Sequence, residues 1–279
     1  MEQAWGAATN SGRKRRVNED SYLASLPIFV VADGMGGHKR GDLASAIAID
    51  EFSKLCEYSV IVPELVDACF QRASQRLKNT LTEGLGGTTV CGVALTLQDG
   101  APYWLLFNLG DSRAYKLNTN RESMTQISVD HSVVQELVEA GVVSRTQASQ
   151  HVERHVITKA LETVTNPEPD YWMLPVEAGD QILLCSDGLC DELQDQEIVD
   201  IWAHAPNPQA AADRLVQAAV EAGGRDNVTV VVVTSDVVGF AAGHIQESTG
   251  PISAIPSMDD THVDLLEPFS RTLPRHARS

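Results

Sequence analysis

Four short segments of this chain each carry an acidic residue at the end of an apolar run or in a turn. They are RRVNED at residues 15–20, VADGMGG at 31–37, SDG at 186–188 and GRDN at 224–227. Their carboxylates belong to Glu19, Asp20, Asp33, Asp187 and Asp226. If the fold gathers these five side chains, burying their charges without partners would be prohibitively costly. Divalent cations would relieve that cost, so the pattern predicts a metal site first and a hydrolase second.

The types of donor atom favour one class of ion. Carboxylate and carbonyl oxygens suit hard octahedral ions such as Mg²⁺ and Mn²⁺, whereas zinc requires His or Cys at defined spacing. The chain contains no such His/Cys cluster. Its cysteines are Cys56, Cys69, Cys91, Cys185 and Cys190. This odd number, without a C-x-x-C pair, argues against a disulfide framework and a zinc ribbon.

A single Asp-Gly pair is a common turn, so the argument depends on how the acids recur along strands. Apolar runs at residues 27–32, 103–109 and 181–185 are each followed by an acid, namely Asp33, Asp111 and Asp187. Each run is typical of a buried strand that ends at the edge of a sheet. The order inverts at 228–234, a β-branched run that Asp226 precedes. In an antiparallel sheet one strand starts beside the end of its neighbour, so all these acids can share one rim.

The remaining elements favour an α+β fold. A further strand is predicted over residues 86–95. Helical periodicity predicts helices at 42–55, 63–81, 132–140 and 208–222, with Leu43, Ile47 and Phe52 on one face of the first. Strands and helices cluster instead of alternating strictly, which argues against a doubly wound parallel sheet. Residues 142–166 have a weak pattern and are predicted to form an irregular surface flap.

Composition limits the possible partners and the extent of the folded domain. The net charge of −17 would repel nucleic acid and anionic membranes, so we expect neither as a partner. No stretch is typical of a signal peptide or a membrane span, which makes the cytoplasm the default location. Beyond about residue 238 the chain is rich in Pro, Ser and Thr and loses its apolar periodicity. We therefore predict a folded domain over residues 1–238 and a disordered tail over 239–279.

A basic cluster over residues 13–16 directly precedes the first acidic segment. Four adjacent cations are most often a solvated or nucleic-acid-binding patch. In so acidic a protein, next to a candidate metal site, we interpret one of these arginines instead as a bidentate clamp for phosphate.

The order of these motifs resembles that of the metal-dependent Ser/Thr protein phosphatases of type 2C, in their compact bacterial form. The matching motifs are R-x-x-N-E-D, V-A-D-G-M-G-G, G-T-T, G-D-S-R-x-Y, D-H-S, S-D-G-L and D-N-x-T, between about residues 10 and 235. The resemblance implies a central sandwich of two antiparallel β-sheets flanked by pairs of α-helices. It also implies hydrolysis of phosphoserine and phosphothreonine in proteins, opposing a bacterial Ser/Thr kinase, by a chain that we expect to be monomeric.

The same resemblance implies a ligand set for two divalent ions, Mn²⁺ or Mg²⁺. Asp33 would bridge the two ions, and the carbonyl of Gly34 would bind one of them. Asp187 and Asp226 would complete the protein ligands. Asp111 matches the acid that, with Asp187, holds a third and weaker ion in bacterial members. The 142–166 segment corresponds to the family's mobile flap beside the cleft.

Three further roles follow from the resemblance. Glu19 and Asp20 would hold metal-bound waters, and Arg15 matches the phosphate-binding arginine, whereas Arg16 is one residue out of register. The animal enzymes have His after Asp-Gly, where this chain has Met35. His38 is then the nearest replacement as general acid.

The mechanism expected of such a site needs no covalent phosphoenzyme. A water between two divalent ions has a strongly lowered pKa and can attack phosphorus in line with the leaving Ser or Thr oxygen. Two other classes of function stay open at this point. The first is a non-catalytic binding module, which loss of metal ligands would indicate, although every ligand position is filled here. The second is a metal-dependent phosphodiesterase or nuclease, which the negative charge disfavours.

Overall fold

The computed structural model describes residues 4–36, 40–81, 86–118, 120–148, 151–163 and 166–236. His38 and the tail predicted over 239–279 lie outside these ranges. The strands are β1 (Trp5–Asn10), β2 (Ser21–Ser25), β3 (Ile28–Ala32), β4 (Gly34–Met35), β5 (Gly87–Thr88), β6 (Val90–Gln98), β7 (Ala101–Leu109), β8 (Arg113–Leu117), β9 (Met124–Gln126), β10 (Leu161–Glu162), β11 (Asp170–Pro175), β12 (Gln181–Cys185) and β13 (Val228–Thr234). The helices are α1 (Gly41–Ser53), which a 3-10 turn at Lys54–Glu57 continues, α2 (Pro63–Thr80), α3 (Val133–Glu139), α4 (Arg145–Ala148), α5 (Asp187–Cys190), α6 (Asp195–Ala203) and α7 (Pro208–Ala222).

Two antiparallel five-stranded sheets form the centre of the molecule. One sheet has the order β1-β13-β12-β8-β9 and the other β11-β7-β6-β3-β2, and the short strands β10-β5-β4 form a small third sheet. Helices α1 and α2 pack on the second sheet, whereas α6 and α7 cover the first. The predicted fold class, a four-layer α+β sandwich, is confirmed.

The strands β3, β6, β7, β12 and β13 are largely apolar because both of their faces are buried. In β3, Phe29 and Val31 point between the two sheets, while Ile28 and Val30 face α1 and α2. The valines of β13 alternate in the same way between the inter-sheet core and the core beneath α7. Side chains alternate across a strand, so a strand between two cores needs an unbroken apolar run. That requirement explains why sequence patterns located these strands.

The start of helix α7 follows from its capping residues. Helix α7 starts at Pro208, and the side chain of Asn207 accepts a hydrogen bond from the backbone N–H of Ala210 at 2.8 Å.

The buried face predicted for the first helix was partly wrong, because Leu43 is 39% exposed. Ala44 and Ala48, spaced four residues apart, are fully buried. Their small side chains let α1 lie close to the sheet, so the buried face is rotated away from Leu43.

Some elements of the fold have no clear pattern in the sequence. The strands β1, β2, β8, β9 and β11 and the helix α6 were not predicted. Strand β2 shows why: its five residues are only half-buried or exposed, so it has no unbroken apolar run. Of the described helices, none has both the length and the apolarity that a membrane-spanning segment requires.

The core beneath α1 and α2 is organised around three phenylalanine rings. Phe107 stacks on Phe52 with ring centroids 5.4 Å apart, and the ring of Phe70 meets both edge-on. Phe107 also covers Gly92, where an added Cβ would lie 2.2 Å from the ring. The aromatic ring thus fills the space that the glycine leaves on the neighbouring strand.

We expect Phe107→Ala to lower the free energy of unfolding by about 3–5 kcal/mol, because the cavity beside Gly92 cannot collapse easily. Urea denaturation would measure this loss. The matched control is Leu97→Ala, at an exposed position of strand β6, which we expect to change stability by less than about 0.5 kcal/mol. Equal effects of the two substitutions would contradict this account of the core.

Candidate metal centre

The predicted acids meet at one rim of the sandwich. Asp33 follows β3 and Asp187 follows β12, whereas Asp20 directly precedes β2 and Asp226 lies just before β13. Since β2 pairs with β3 and β12 pairs with β13, both antiparallel, ends and starts of strands coincide at this rim. Asp111 reaches it from the turn between β7 and β8. The rim opens into a cavity of about 980 Å³ whose walls include Glu19, Asp33, Gly34, Asp111, Asp187 and Asp226.

Burial and mutual repulsion make this rim unfavourable for negative charge. Burial raises the pKa of Asp33 and of Asp187 well above the ordinary value, and the neighbouring carboxylates raise both further. The pKa values of Asp20 and Asp111 are raised to about 6, also chiefly by burial. Groups placed in this way bind protons or cations tightly. The protein has therefore assembled a strong site for positive charge.

The position of Asp20 indicates what kind of ion would fit. Its Oδ2 accepts hydrogen bonds from the hydroxyls of Ser186, at 2.8 Å, and Thr229, at 2.7 Å. Its Oδ1 is buried and has no hydrogen-bond partner among the described residues. An unsatisfied buried carboxylate oxygen is costly, and a cation or a water that the cation holds would satisfy it. The donors around it are oxygens, so the residues fit Mg²⁺ or Mn²⁺.

Main-chain contacts fix the direction of Asp33. The hydroxyl of Thr89 accepts a hydrogen bond from the Asp33 N–H at 3.0 Å. The carbonyl of Asp33 accepts two more, from the Thr88 hydroxyl and the Thr89 N–H, both at 2.9 Å. The G-T-T segment thus holds both backbone polar groups of Asp33 and leaves its carboxylate to face the cavity.

Glycines are required at this rim because backbones touch there. A Cβ on Gly34 would lie 2.2 Å from the carbonyl oxygen of Gly41 and 2.5 Å from that of Glu19. A Cβ on Gly188 would lie 2.0 Å from the carbonyl oxygen of Asn227. No side chain fits in either place without moving backbone. The two close contacts set the positions of Asp33 and Asp187 relative to the loops that face them.

Asn227 fixes the loop that carries the first acidic segment, a role that the sequence analysis missed. Its Nδ2 donates to the carbonyl oxygens of Ser11 at 3.0 Å and Val17 at 3.1 Å. Its Oδ1 accepts from the Glu19 N–H at 2.8 Å. Its place directly after Asp226 was the only signal in the sequence, and nothing there shows which backbone groups it would bind.

Arg15 reaches the rim from the same loop. Its Nη2 lies 2.7 Å from Oδ2 of Asp226, and its side chain is 53% exposed. This hydrogen bond is the main reason why the pKa of Arg15 is raised. The structure therefore brings the predicted phosphate-binding arginine to the carboxylate cluster, with its guanidinium at the mouth of the cavity. Arg16 also lines the cavity.

Comparison with known proteins supplies the family. The model for "Protein phosphatase 2C" matches residues 11–221. The chain belongs to the protein phosphatase 2C family. The serine/threonine phosphatase stp of Listeria welshimeri is 30% identical over 246 residues, which cover 82% of this chain and 95% of that protein.

Solved structures agree with this membership. The serine/threonine phosphatase PstP of Mycobacterium tuberculosis is 33% identical, with a TM-score of 0.76, and the match covers 82% of this chain and 97% of that one. A structure of the PstP catalytic domain in complex with two manganese ions is also 33% identical, with a TM-score of 0.73, and the match covers 82% of this chain and 96% of the other.

One feature of this phosphatase 2C site was not predicted from the sequence. His155, in the 142–166 segment, places its Nδ1 3.9 Å from Oδ2 of Asp187 and 3.6 Å from Oδ2 of Asp191. One ligand-type atom from each of the three residues lies within 4.8 Å of the other two. The i, i+4 spacing of the two aspartates on the turn of α5 was visible in the sequence, but the approach of the histidine was not. The described parts of the predicted flap thus contact the rim.

The raised pKa of Asp20 predicts how stability depends on pH in the metal-free protein. Its pKa is raised from 3.8 to about 6, so the folded state binds this proton more tightly than the unfolded state. Stability is then fully present below the unfolded pKa and is lost as the pH rises through about 6. In EDTA, from about pH 4 to about pH 7, we expect the wild type to lose on the order of 2–3 kcal/mol relative to Asp20→Asn.

Chemical denaturation of both proteins across this pH range would measure the difference. The control is Asp213→Asn, at an exposed position on α7, whose stability should stay parallel to that of the wild type. If the profiles of the wild type and Asp20→Asn also run parallel, burial of this carboxylate does not oppose folding.

Proposed function

We propose that this chain is a protein phosphatase that hydrolyses phosphoserine and phosphothreonine in proteins with the help of two divalent ions, Mn²⁺ or Mg²⁺. The observation that carries the proposal is the meeting of Asp33, Asp111, Asp187 and Asp226 at one cavity, with the buried Asp20 beside Asp33 and an arginine at the cavity mouth. Membership of the phosphatase 2C family supports it. We assign the activity to a domain over residues 1–238.

The ligand assignment that we propose follows the positions of the residues at the rim and the family motifs that they match. Asp33, Asp187, Asp226 and the carbonyl of Gly34 would hold the two ions, which supply an activated water and neutralise charge on the phosphate. The pKa values of Asp33 and Asp187 are both raised by burial and by neighbouring carboxylates, which supports the assignment of these two residues as ligands. Asp111, whose pKa is raised to about 6, would join Asp187 at a weaker third ion.

Glu19 and Asp20, the two acids of the first acidic segment, have a different role in this proposal. Glu19 and Asp20 would orient waters that the ions hold. Asp20 has one oxygen fixed by Ser186 and Thr229 and the other unsatisfied, which suits a group that accepts from an ordered water. His38 would protonate the leaving oxygen, and it lies outside the described ranges.

Arg15 would bind the phosphate of the substrate. Its guanidinium has five N–H donors in a planar fork that matches phosphate oxygens, and Asp226 accepts from Nη2. Breaking an exposed ion pair of this kind costs only about 0–1 kcal/mol, so the side chain can turn toward an incoming phosphate.

Further aspects of the proposal concern partners and setting. The relatives named above are bacterial Ser/Thr phosphatases. We therefore propose that a cognate bacterial Ser/Thr kinase supplies the phosphorylated proteins, and that the chain works as a monomer in the cytoplasm. The net charge of −17 supports protein substrates over nucleic acid.

The function is tested by phosphate release from a phosphothreonine peptide. We expect release with Mn²⁺, none with EDTA, and a loss of at least about 100-fold in Asp187→Ala, because a buried ligand is removed. The control variant Asp213→Asn, at an exposed position on α7, should keep wild-type activity. No release by the wild type with Mn²⁺ would overturn the proposal and favour a binding module.

The role of Arg15 is tested by comparison with its neighbour. We expect Arg15→Ala to lower kcat/KM by about 100-fold and Arg15→Lys to restore part of the loss, since lysine keeps the charge without the fork. Arg16→Ala, in the same loop, should change kcat/KM by less than about threefold. Equal losses in both alanine variants would show that the cluster acts only through its total charge.

A further inference from the structure

Two cysteines enclose the aspartate that follows β12. Cys185 is the last residue of β12, and Cys190 is the last residue of the short helix α5. Between them lie Ser186, which binds Asp20, and Asp187. The function proposed above gives neither thiol a role. Their position matters because a movement of this turn would move Asp187 and also Ser186, whose hydroxyl donates to Asp20.

The two sulfur atoms are already in contact. The distance between Sγ of Cys185 and Sγ of Cys190 is 3.8 Å, and both residues are free thiols. A disulfide has its sulfur atoms about 2.0 Å apart, so oxidation must bring them together by somewhat less than 2 Å. This approach requires rotation of the two side chains and a shift of the helical turn.

The surroundings of Cys190 favour its thiolate. Its Sγ lies 3.3 Å from the Tyr115 hydroxyl, which accepts a hydrogen bond from Nη1 of Arg113 at 3.2 Å. The hydrogen bond with Cys185, together with the positive charge of Arg113, lowers the pKa of the Cys190 thiol to about 7. A thiolate near a guanidinium is the form that reacts with oxidants.

A small oxidant has a route to this sulfur. Cys190 is half-buried, whereas Cys185 is fully buried. Cys190 lines a cavity of about 790 Å³ that adjoins the carboxylate rim and shares Asp111 and Asp187 with it. Cys190 is thus both the more accessible thiol and the one with the lowered pKa. Cys185 lies next to it in the position of a resolving thiol.

We propose that Cys185 and Cys190 form a dithiol that hydroperoxides oxidise to a disulfide. This disulfide, which joins the residues on either side of Asp187 in the chain, inactivates the site at the rim. The Cys190 thiolate attacks one oxygen of the hydroperoxide, the O–O bond breaks, and sulfenic acid forms with release of hydroxide or alkoxide. The Cys185 thiol then attacks the sulfenic sulfur, the S–S bond forms, and water leaves. The two sulfurs lose two electrons, and the hydroperoxide gains them.

The disulfide would disturb the site because the backbone of this turn is in close contact with the loop that faces it. At Gly188 the backbone already lies so close to Asn227 that even a Cβ would not fit. Drawing α5 toward β12 must therefore displace Ser186 and Asp187, on which the hydrogen bond to Asp20 and the charge at the rim depend. The predicted loss of activity rests on the function proposed above, whereas formation of the disulfide does not.

The test uses the full chain loaded with Mn²⁺ and treated with hydrogen peroxide. Trypsin leaves Cys185 and Cys190 alone together in one peptide, residues 160–214, so a mass loss of about 2 Da in that peptide reports this disulfide and no other. We expect the mass loss in the wild type, its reversal by dithiothreitol, and a parallel reversible fall of at least about tenfold in phosphatase activity.

Two variants complete the test. Cys190→Ser should form no disulfide and should keep most of its activity after the same treatment. The matched control Cys56→Ser, which removes the other half-buried cysteine, should respond like the wild type. Absence of the mass loss in the wild type, or equal inactivation of Cys190→Ser, would overturn the proposal. Disulfide formation without phosphatase activity in the untreated protein would instead overturn the proposed function and leave the dithiol in place.

Discussion

The repulsion among carboxylates at one rim of the sandwich is the constraint on which the rest of this structure depends. Asp20 and Asp111 are buried, and Asp33 and Asp187 are half-buried beside them. Beyond the effect of burial, Asp20 and Asp111 raise the pKa of Asp33 and of Asp187, and Asp187 raises that of Asp33 further. Without cations such a cluster opposes folding. The two sheets must therefore be stable enough to hold it, and their strands are buried on both faces. The apolar cores thus stabilise the fold against the repulsion among the carboxylates, which by itself would separate the loops that carry them.

The β-sandwich positions the residues of the rim more through backbone contacts than through long side chains. Gly34 and Gly188 allow facing backbones to approach closer than any Cβ permits. Asn227 binds three backbone groups of the loop that carries Arg15 and Glu19. Backbone contacts of this kind have little rotamer freedom, which suits a site whose ligands must keep fixed distances. They also explain why a small shift of the turn after β12 has large consequences.

The sequence was sufficient for the strands β3, β6, β7, β12 and β13 and for the acids beside them, because burial on both faces requires a largely apolar run. It was insufficient where tertiary contacts decide. The half-buried β2 has no such run, and the buried face of α1 depends on how closely Ala44 and Ala48 let it approach the sheet. The approach of His155 to Asp187 joins residues far apart in the chain, and local patterns carry no information about it. The assigned roles of the rim residues remain predictions.

The ion pair between Arg15 and Asp226 has consequences for the rim both without and with bound cations. In the structure the guanidinium neutralises part of the carboxylate charge from an exposed position. An exposed pair contributes little net stability, so a divalent ion, with twice the charge and no side-chain entropy to lose, would displace the guanidinium from Asp226. The displaced guanidinium would still be tethered at the mouth of the cavity, where a dianionic phosphate is its best remaining partner. Under the proposed function, binding of cations would thereby free Arg15 to bind the phosphate of the substrate.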